Sequence, residues 1–333
     1  MVNWLNYRLF ILALPLFLFF SFEQKKELPW GFVGHKQINR LAIFTLPPEL
    51  FGFYKTHIEF ITDHSVDPDK RRYSVEGEAE CHYIDLDHYY FLADSMYPLL
   101  EQPWNKASLY FTEDTLKAYG IVPWHIQLMK YKLQKAFEQK NVALILKYSS
   151  EIGHYIADAH VPLHTTQNYN GQQTNQKGIH GLWESRLVEL YQNDYQFFVG
   201  KSQYVENLSA YIWSVVKESH SALDTVFKME IEASKRIGYP NKYSIEQRGN
   251  QTVKTYSKEF CQIYHQLMGN MVERRMRQAI LAIGSIWQTA WIDAGQPDLN
   301  QLLAQKPNLT DLEHLNQLNQ EDPTSIHGGR ICD

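Results

Sequence analysis

His154-Tyr155-Ile156-Ala157-Asp158-Ala159-His160-Val161-Pro162-Leu163-His164, followed after a Gly/Asn/Gln-rich loop by His180-Gly181-Leu182-Trp183-Glu184, is the stretch that decides how this chain reads. His154 and Asp158 are four apart, and so are His180 and Glu184. On a helix, positions i and i+4 share one face, so each pair aims two donors at one point. His164 follows Pro162, where a helix should end. Taken singly, His154 with Asp158 is an intrahelical hydrogen bond and Glu184 a solvated helix charge. Two such pairs with a third His between them point instead to two neighbouring metal sites. Imidazole nitrogen and carboxylate oxygen are the usual non-thiolate ligands of zinc.

Outward from this stretch the pattern stays helical. Apolar residues recur at helical spacing over residues 35–46, 124–140, 142–160, 181–191, 206–227 and 251–294. The last segment reads as two helices, or as one bent near Gly269 or Gly284. Residues 81–90 alternate in polarity but are few. Loops are expected at 62–77, 94–120, 165–177 and 237–249, where Pro, Gly and Asn collect. The expected fold class is all-α, a single multi-helix globular domain over residues 30–295, with a polar C-terminal extension at 296–333.

Composition narrows the partners. The chain has 333 residues and a net charge of −5, so no global basic field advertises a polyanion. Nucleic acid stays open, because bound divalent metal would itself supply positive charge. The 21 Tyr, 17 Phe and 8 Trp leave aromatic side chains to spare for stacking. Three widely spaced cysteines, Cys81, Cys261 and Cys332, make no disulfide scaffold and contain no C-x-x-C zinc motif, though one bridge remains open. Arg8 precedes an apolar run over residues 9–22, which is short for a membrane span. Residues 1–29 therefore read as a signal or export segment, with an uncleaved membrane anchor as the alternative, and the chain as exported, periplasmic or extracellular.

Upstream segments extend the metal pattern: Trp30-Gly31-Phe32-Val33-Gly34-His35, then Asp67 in D-P-D-K-R-R, then His82 in C-H-Y-I-D. In this order, W-G-x-x-G-H, D-x14-H, H-x3-D-x5-H and H-x3-E resemble the superfamily that joins bacterial zinc-dependent phospholipases C with single-strand-specific zinc nucleases. The resemblance runs from Trp30 to Glu184. It implies a trinuclear zinc cluster, with two or three Zn2+ per chain. Asp67, His82, His154 and Asp158 would hold one zinc, and His164, His180 and Glu184 a second. Trp30, through its amino group and carbonyl, would hold a third with His35 and a bridging Asp158. Trp30 can offer that amine only as residue one of a processed chain, and Pro29 before it disfavours signal-peptidase cleavage. Asp85 would handle the attacking water, and Lys70 or Arg71 would face the phosphate. His160, four before His164, reads as a decoy because Pro162 interrupts the helix, leaving it a supporting or surface role. Tyr83, Tyr89 and Trp183 border the ligands, with Trp183 assigned to the core.

The chemistry implied is in-line hydrolysis of a phosphodiester by metal-activated water. Glu184 as the last ligand, the short gap before His180 and the absence of the nucleases' cysteine pattern resemble the phospholipase branch. W-G-x-x-G-H resembles the nuclease branch. The expected substrate is a phospholipid, met in transient contact with a membrane surface by a monomeric enzyme. Single-stranded nucleic acid is the alternative. A non-catalytic periplasmic zinc-binding protein is the reading from another class. A carboxylate-bridged di-iron bundle fits less well, because that chemistry uses Glu-x-x-His rather than His-first pairs at i, i+4.

Overall fold

Helix α10 (Val142–Ala159) is the element on which the rest is assembled. Asn141 caps it by accepting from the Leu144 N–H at 3.1 Å. All its residues except Leu144 and Tyr148 are buried, which places a helix in the middle of a domain rather than at its surface. It packs against α1 (Gly31–Ala42), α3 (Ile58–Asp63), α9 (Val122–Glu138), α13 (Leu208–Ser221) and α16 (Met271–Asp293). The computed structural model describes residues 31–89, 97–248 and 251–303. Residues 1–29, which the sequence leads one to expect as an export segment, Trp30, Cys332 and most of the expected C-terminal extension lie outside the described residues.

Close approach between α1 and α10 depends on Gly153. A Cβ there would stand 2.0 Å from Asn39 Oδ1, and the Asn39 amide donates to the Ser150 carbonyl at 2.9 Å. With the two backbones this near, the His35 ring of α1 stacks on the His154 ring of α10 at a centroid distance of 4.0 Å. On the other side of α10, Trp287 of α16 donates its indole N–H to the Ser149 carbonyl and stacks on Tyr54, whose hydroxyl meets Ser149 Oγ. Tyr54 belongs to α2 (Pro48–Thr56), which opens on the proline that ends the preceding segment.

The remaining helices surround this core. They are α4 (Asp67–Arg71), α5 (Leu86–Tyr89), α6 (Tyr97–Leu100), α7 (Trp104–Phe111), α8 (Glu113–Ala118), α11 (Ile179–Gly181), α12 (Leu187–Tyr191), α14 (Leu223–Ile237) and α15 (Lys258–Met268). Leu182–Arg186 is a π-helical turn that joins α11 to α12. Several segments expected as loops, 62–77 and 94–120 among them, thus hold short helices. The segment expected as one helix over 206–227 is α13 and the start of α14, broken at Ala222.

Residues 251–294 depart most from the sequence reading. Their first part is a strand, β2 (Gln251–Tyr256), paired antiparallel with β1 (Tyr243–Arg248), Tyr243 opposite Tyr256 and Ile245 opposite Lys254. The helical part breaks at Gly269 and Asn270, both left-handed with φ of 57° and 60°. Gly284 makes no bend: a Cβ there would lie 1.9 Å from Thr45 Oγ1, so it is small for packing. Cys81 and Cys261 are both buried and free. Among the described residues no helix is long and apolar enough to cross a membrane.

His160 is no surface residue. It is 3% exposed, its Nδ1–H donates to the Ile156 carbonyl at 2.7 Å, and burial and the Arg275 guanidinium push its pKa down to about 3. Because the folded value lies below the unfolded one, the unfolded chain takes up a proton first as pH falls. Stability is then lost through the window from about 6.5 down to about 3, at up to about 1.4 kcal/mol per pH unit from this group. Thermal unfolding at fixed zinc should show a shallower acid limb for His160→Gln than for the unaltered protein. Parallel limbs would refute the assignment.

Candidate metal centre

The first donor group grows from α10. His154 Nδ1 lies 2.9 Å from the Ser65 carbonyl and must donate its proton there, which leaves Nε2 bare. That nitrogen faces His82 Nδ1 at 3.1 Å and Asp158 Oδ2 at 3.4 Å, and His82 Nδ1 is 2.8 Å from the same carboxylate oxygen. All three residues are buried. The i, i+4 spacing does here what the sequence implied, bringing imidazole and carboxylate of one helix to one point.

The second group lies across the polar loop. His164 Nδ1 donates to the His82 carbonyl at 2.6 Å, and His180 Nδ1 to the Tyr169 carbonyl at 3.2 Å. Their Nε2 atoms are thereby turned on Glu184 Oε2, at 3.4 and 2.7 Å. Glu184 stands in the π-helical turn, an element frequent at functional sites. A third group links the first two: His35 Nε2 lies 3.3 Å from Asp158 Oδ1 and 3.4 Å from Glu184 Oε1. Asp158 and Glu184 thus each serve two groups.

These donors fit zinc. Tetrahedral coordination at about 2.0–2.1 Å spaces ligand atoms about 3.3 Å apart, and the separations within the first group are 2.8, 3.1 and 3.4 Å. Backbone carbonyls fix the tautomer of three of the histidines, the outer-shell arrangement that metal sites use. Burial holds His82 well below the ordinary imidazole range, lowers His154 and pushes His164 down to about 4. At neutral pH these rings carry no second proton, so bare lone pairs converge on carboxylate oxygens. A bound cation relieves that repulsion. Burial, with Glu184 and Asp69 nearby, pushes the Asp158 carboxyl well up, as expected of a carboxylate crowded by others.

Four residues expected at the site are elsewhere. Asp67 is turned away, bonded to His64 Nδ1 at 2.6 Å and Lys70 Nζ at 2.7 Å. Asp69 takes the place expected for it, with Oδ1 3.6 Å from His154 Nε2 and 3.9 Å from His82 Nδ1. Two residues turn an α-helix by about 200°, so only one of the two acids in D-P-D can face the cluster. The same rotation removes Lys70, which is half exposed and tied to Asp67, and presents Arg72 and Tyr73 in its stead. Arg71 is occupied by Glu78, Glu151 and the Tyr155 hydroxyl. Asp85 is buried at the start of α5, where its N–H donates to the Tyr119 carbonyl and its carbonyl accepts from His88, and it does not line the cleft. Tyr83, Tyr89 and Trp183 are core. Trp30 lies outside the described residues, and Gly31 after it borders the cleft.

Asp158, His164, His180 and Glu184 line a cleft of about 660 Å³. Asp69, Arg72 and Tyr73 line it from the α4 segment, and Tyr243, Val253, Lys254, Thr255 and Tyr256 from the hairpin, together with Lys177 and Gly178. Fold and donor set together define a helical protein with a His/carboxylate metal centre able to hold several ions. The zinc-dependent phospholipase C family matches residues 34–236, and the chain belongs to that family. Comparison with curated protein sequences finds no match. Among solved structures, the alpha-toxin of Clostridium perfringens from an avian strain is similar at 12% identity and a TM-score of 0.47. The alignment covers 81% of this chain, which spans 65% of the toxin's length.

Proposed function

We propose that this chain is an exported, monomeric, phospholipase C-like phosphodiesterase that releases the head group of a phospholipid. The observation that carries the reading is the set of overlapping donor groups joined through Asp158 and Glu184, both of which line an open cleft. His82, His154, Asp158 and Asp69 would hold one zinc, His164, His180 and Glu184 another, and His35 with Asp158 and Glu184 a third. When bound, zinc supplies Lewis acidity toward a phosphoryl oxygen and eases the ionisation of water at neutral pH.

The chain's own residues do the rest. Arg72, buried on the cleft wall, presents positive charge where the equatorial oxygens of a phosphoryl group gain negative charge. Phe32, Leu182, Val253 and Tyr256 give the cleft apolar surface beside its charges, which suits the glyceride end of a lipid. Cleavage of single-stranded nucleic acid is the second reading, favoured by the tyrosines on the same walls, on which bases could stack. Zinc-loaded protein should turn over short-chain phospholipid and leave single-stranded DNA intact. Robust DNA cleavage without lipid turnover would reverse the order of the two readings. Stoichiometric zinc with neither activity would favour a zinc-binding protein.

A further inference from the structure

We propose that the cleft selects a net-anionic phosphodiester, one whose leaving group carries no cation, as in phosphatidylglycerol, over zwitterionic lipids such as phosphatidylcholine; this deepens the phospholipase reading and rests on it. Among the described residues, the carboxylates lining the cleft are Asp69, Asp158 and Glu184, and each is a member of a donor group facing the histidines. None is left over to receive an ammonium head.

Cations, by contrast, remain on the walls. Arg186 is turned to Glu246 and Glu189. Lys177 and Lys254 are both exposed at the cleft and pair with no carboxylate among the described residues. Lys177 follows the polar loop that carries the chain from His164 to His180, and Lys254 stands on β2, so the two come from separate elements to one opening. Clefts lined by one sign of charge with low-dielectric walls concentrate the opposite charge.

The aromatic surface gives the same preference. A quaternary ammonium is ordinarily recognised on the open face of an aromatic ring. Tyr243, the tyrosine of β1 on this wall, already carries the Lys254 ammonium 4.5 Å from its ring centroid. A choline arriving at Tyr243 would have to displace this resident cation and then lie beside it. A glycerol head meets no such repulsion, while its phosphate gains from both lysines.

The experiment uses zinc-loaded full chain with dihexanoyl phosphatidylglycerol and dihexanoyl phosphatidylcholine as monomers, below micelle formation, so that attraction to a lipid surface plays no part. kcat/KM should favour phosphatidylglycerol by about tenfold or more, mostly through KM. The double charge reversal Lys177→Glu with Lys254→Glu, checked for unchanged zinc content, should reverse the preference by lowering turnover of the anionic lipid and raising that of phosphatidylcholine. Equal or better use of phosphatidylcholine by the unaltered protein, or a ratio that the double variant leaves unmoved, overturns this inference alone. Turnover of neither lipid sinks the phospholipase reading and the inference with it.

Discussion

Asp158→Asn is expected to strip zinc and to lower kcat/KM by more than about 10³-fold, because metal supplies several kcal/mol of transition-state stabilisation and each 1.4 kcal/mol is a factor of ten. Asp158, like Glu184, turns its two oxygens to different histidines, Oδ1 toward His35 at 3.3 Å and Oδ2 toward His82 at 2.8 Å. An amide of the same shape has one neutral oxygen and two N–H donors. It can serve at most one of those groups and points protons at the other. Stability should move in opposite directions in the two metal states. In chelated protein the buried Asp158 charge is crowded by Glu184 and Asp69, so its removal leaves the melting temperature equal or raises it. In zinc-loaded protein the same change lowers it, because metal binding to the folded state is itself folding free energy. Metal analysis and two melting curves decide the matter. Full zinc content in Asp158→Asn, or a lower melting temperature in both states, would count against a shared carboxylate.

The sequence discloses much of this centre because two of its groups are local. His154 with Asp158, and His180 with Glu184, each meet across one helical turn, and helical spacing is written into the chain. The contribution of His35 depends on Gly153, whose missing side chain lets α1 approach α10, and nothing in a single sequence ties residue 153 to Asn39. Glu184 was legible as a ligand of the second group but not as a neighbour of His35, which needs the π-helical turn. The hairpin is not expected from periodicity, which joins residues 251–256 to the helix that follows. Yet Gln251-Thr252-Val253-Lys254-Thr255-Tyr256 is rich in β-branched residues, and Gly249-Asn250 before it is a two-residue hairpin signal. The cleft walls are long-range pairings of this kind, and periodicity along the chain carries no information on which surfaces meet.

Asp69→Asn should lose one zinc and more than about 100-fold in kcat/KM, whereas Asp67→Asn should keep its zinc and stay within about threefold of the unaltered protein. The sequence offers both acids, two apart around Pro68, and the helical phase chooses between them. Ile58, Ile61, Thr62, Ser65 and Val66 are buried in steps of three, one, three and one, and the same phase continues to Asp69 and Arg72. Asp67 falls on the opposite face, where it binds His64 and Lys70. Its carboxyl is lowered by those two partners against partial burial, so Asp67→Asn removes an ion-pair network that lies apart from the donor groups. Asp69 is lowered by His154, His82 and His35, against burial, and its loss leaves those rings one carboxylate short at the cluster. Zinc content and turnover of the two variants, measured side by side, separate the alternatives. If Asp67→Asn is the one that loses metal, α4 must be rotated from the orientation described, and Lys70 rather than Arg72 would then face the substrate phosphate.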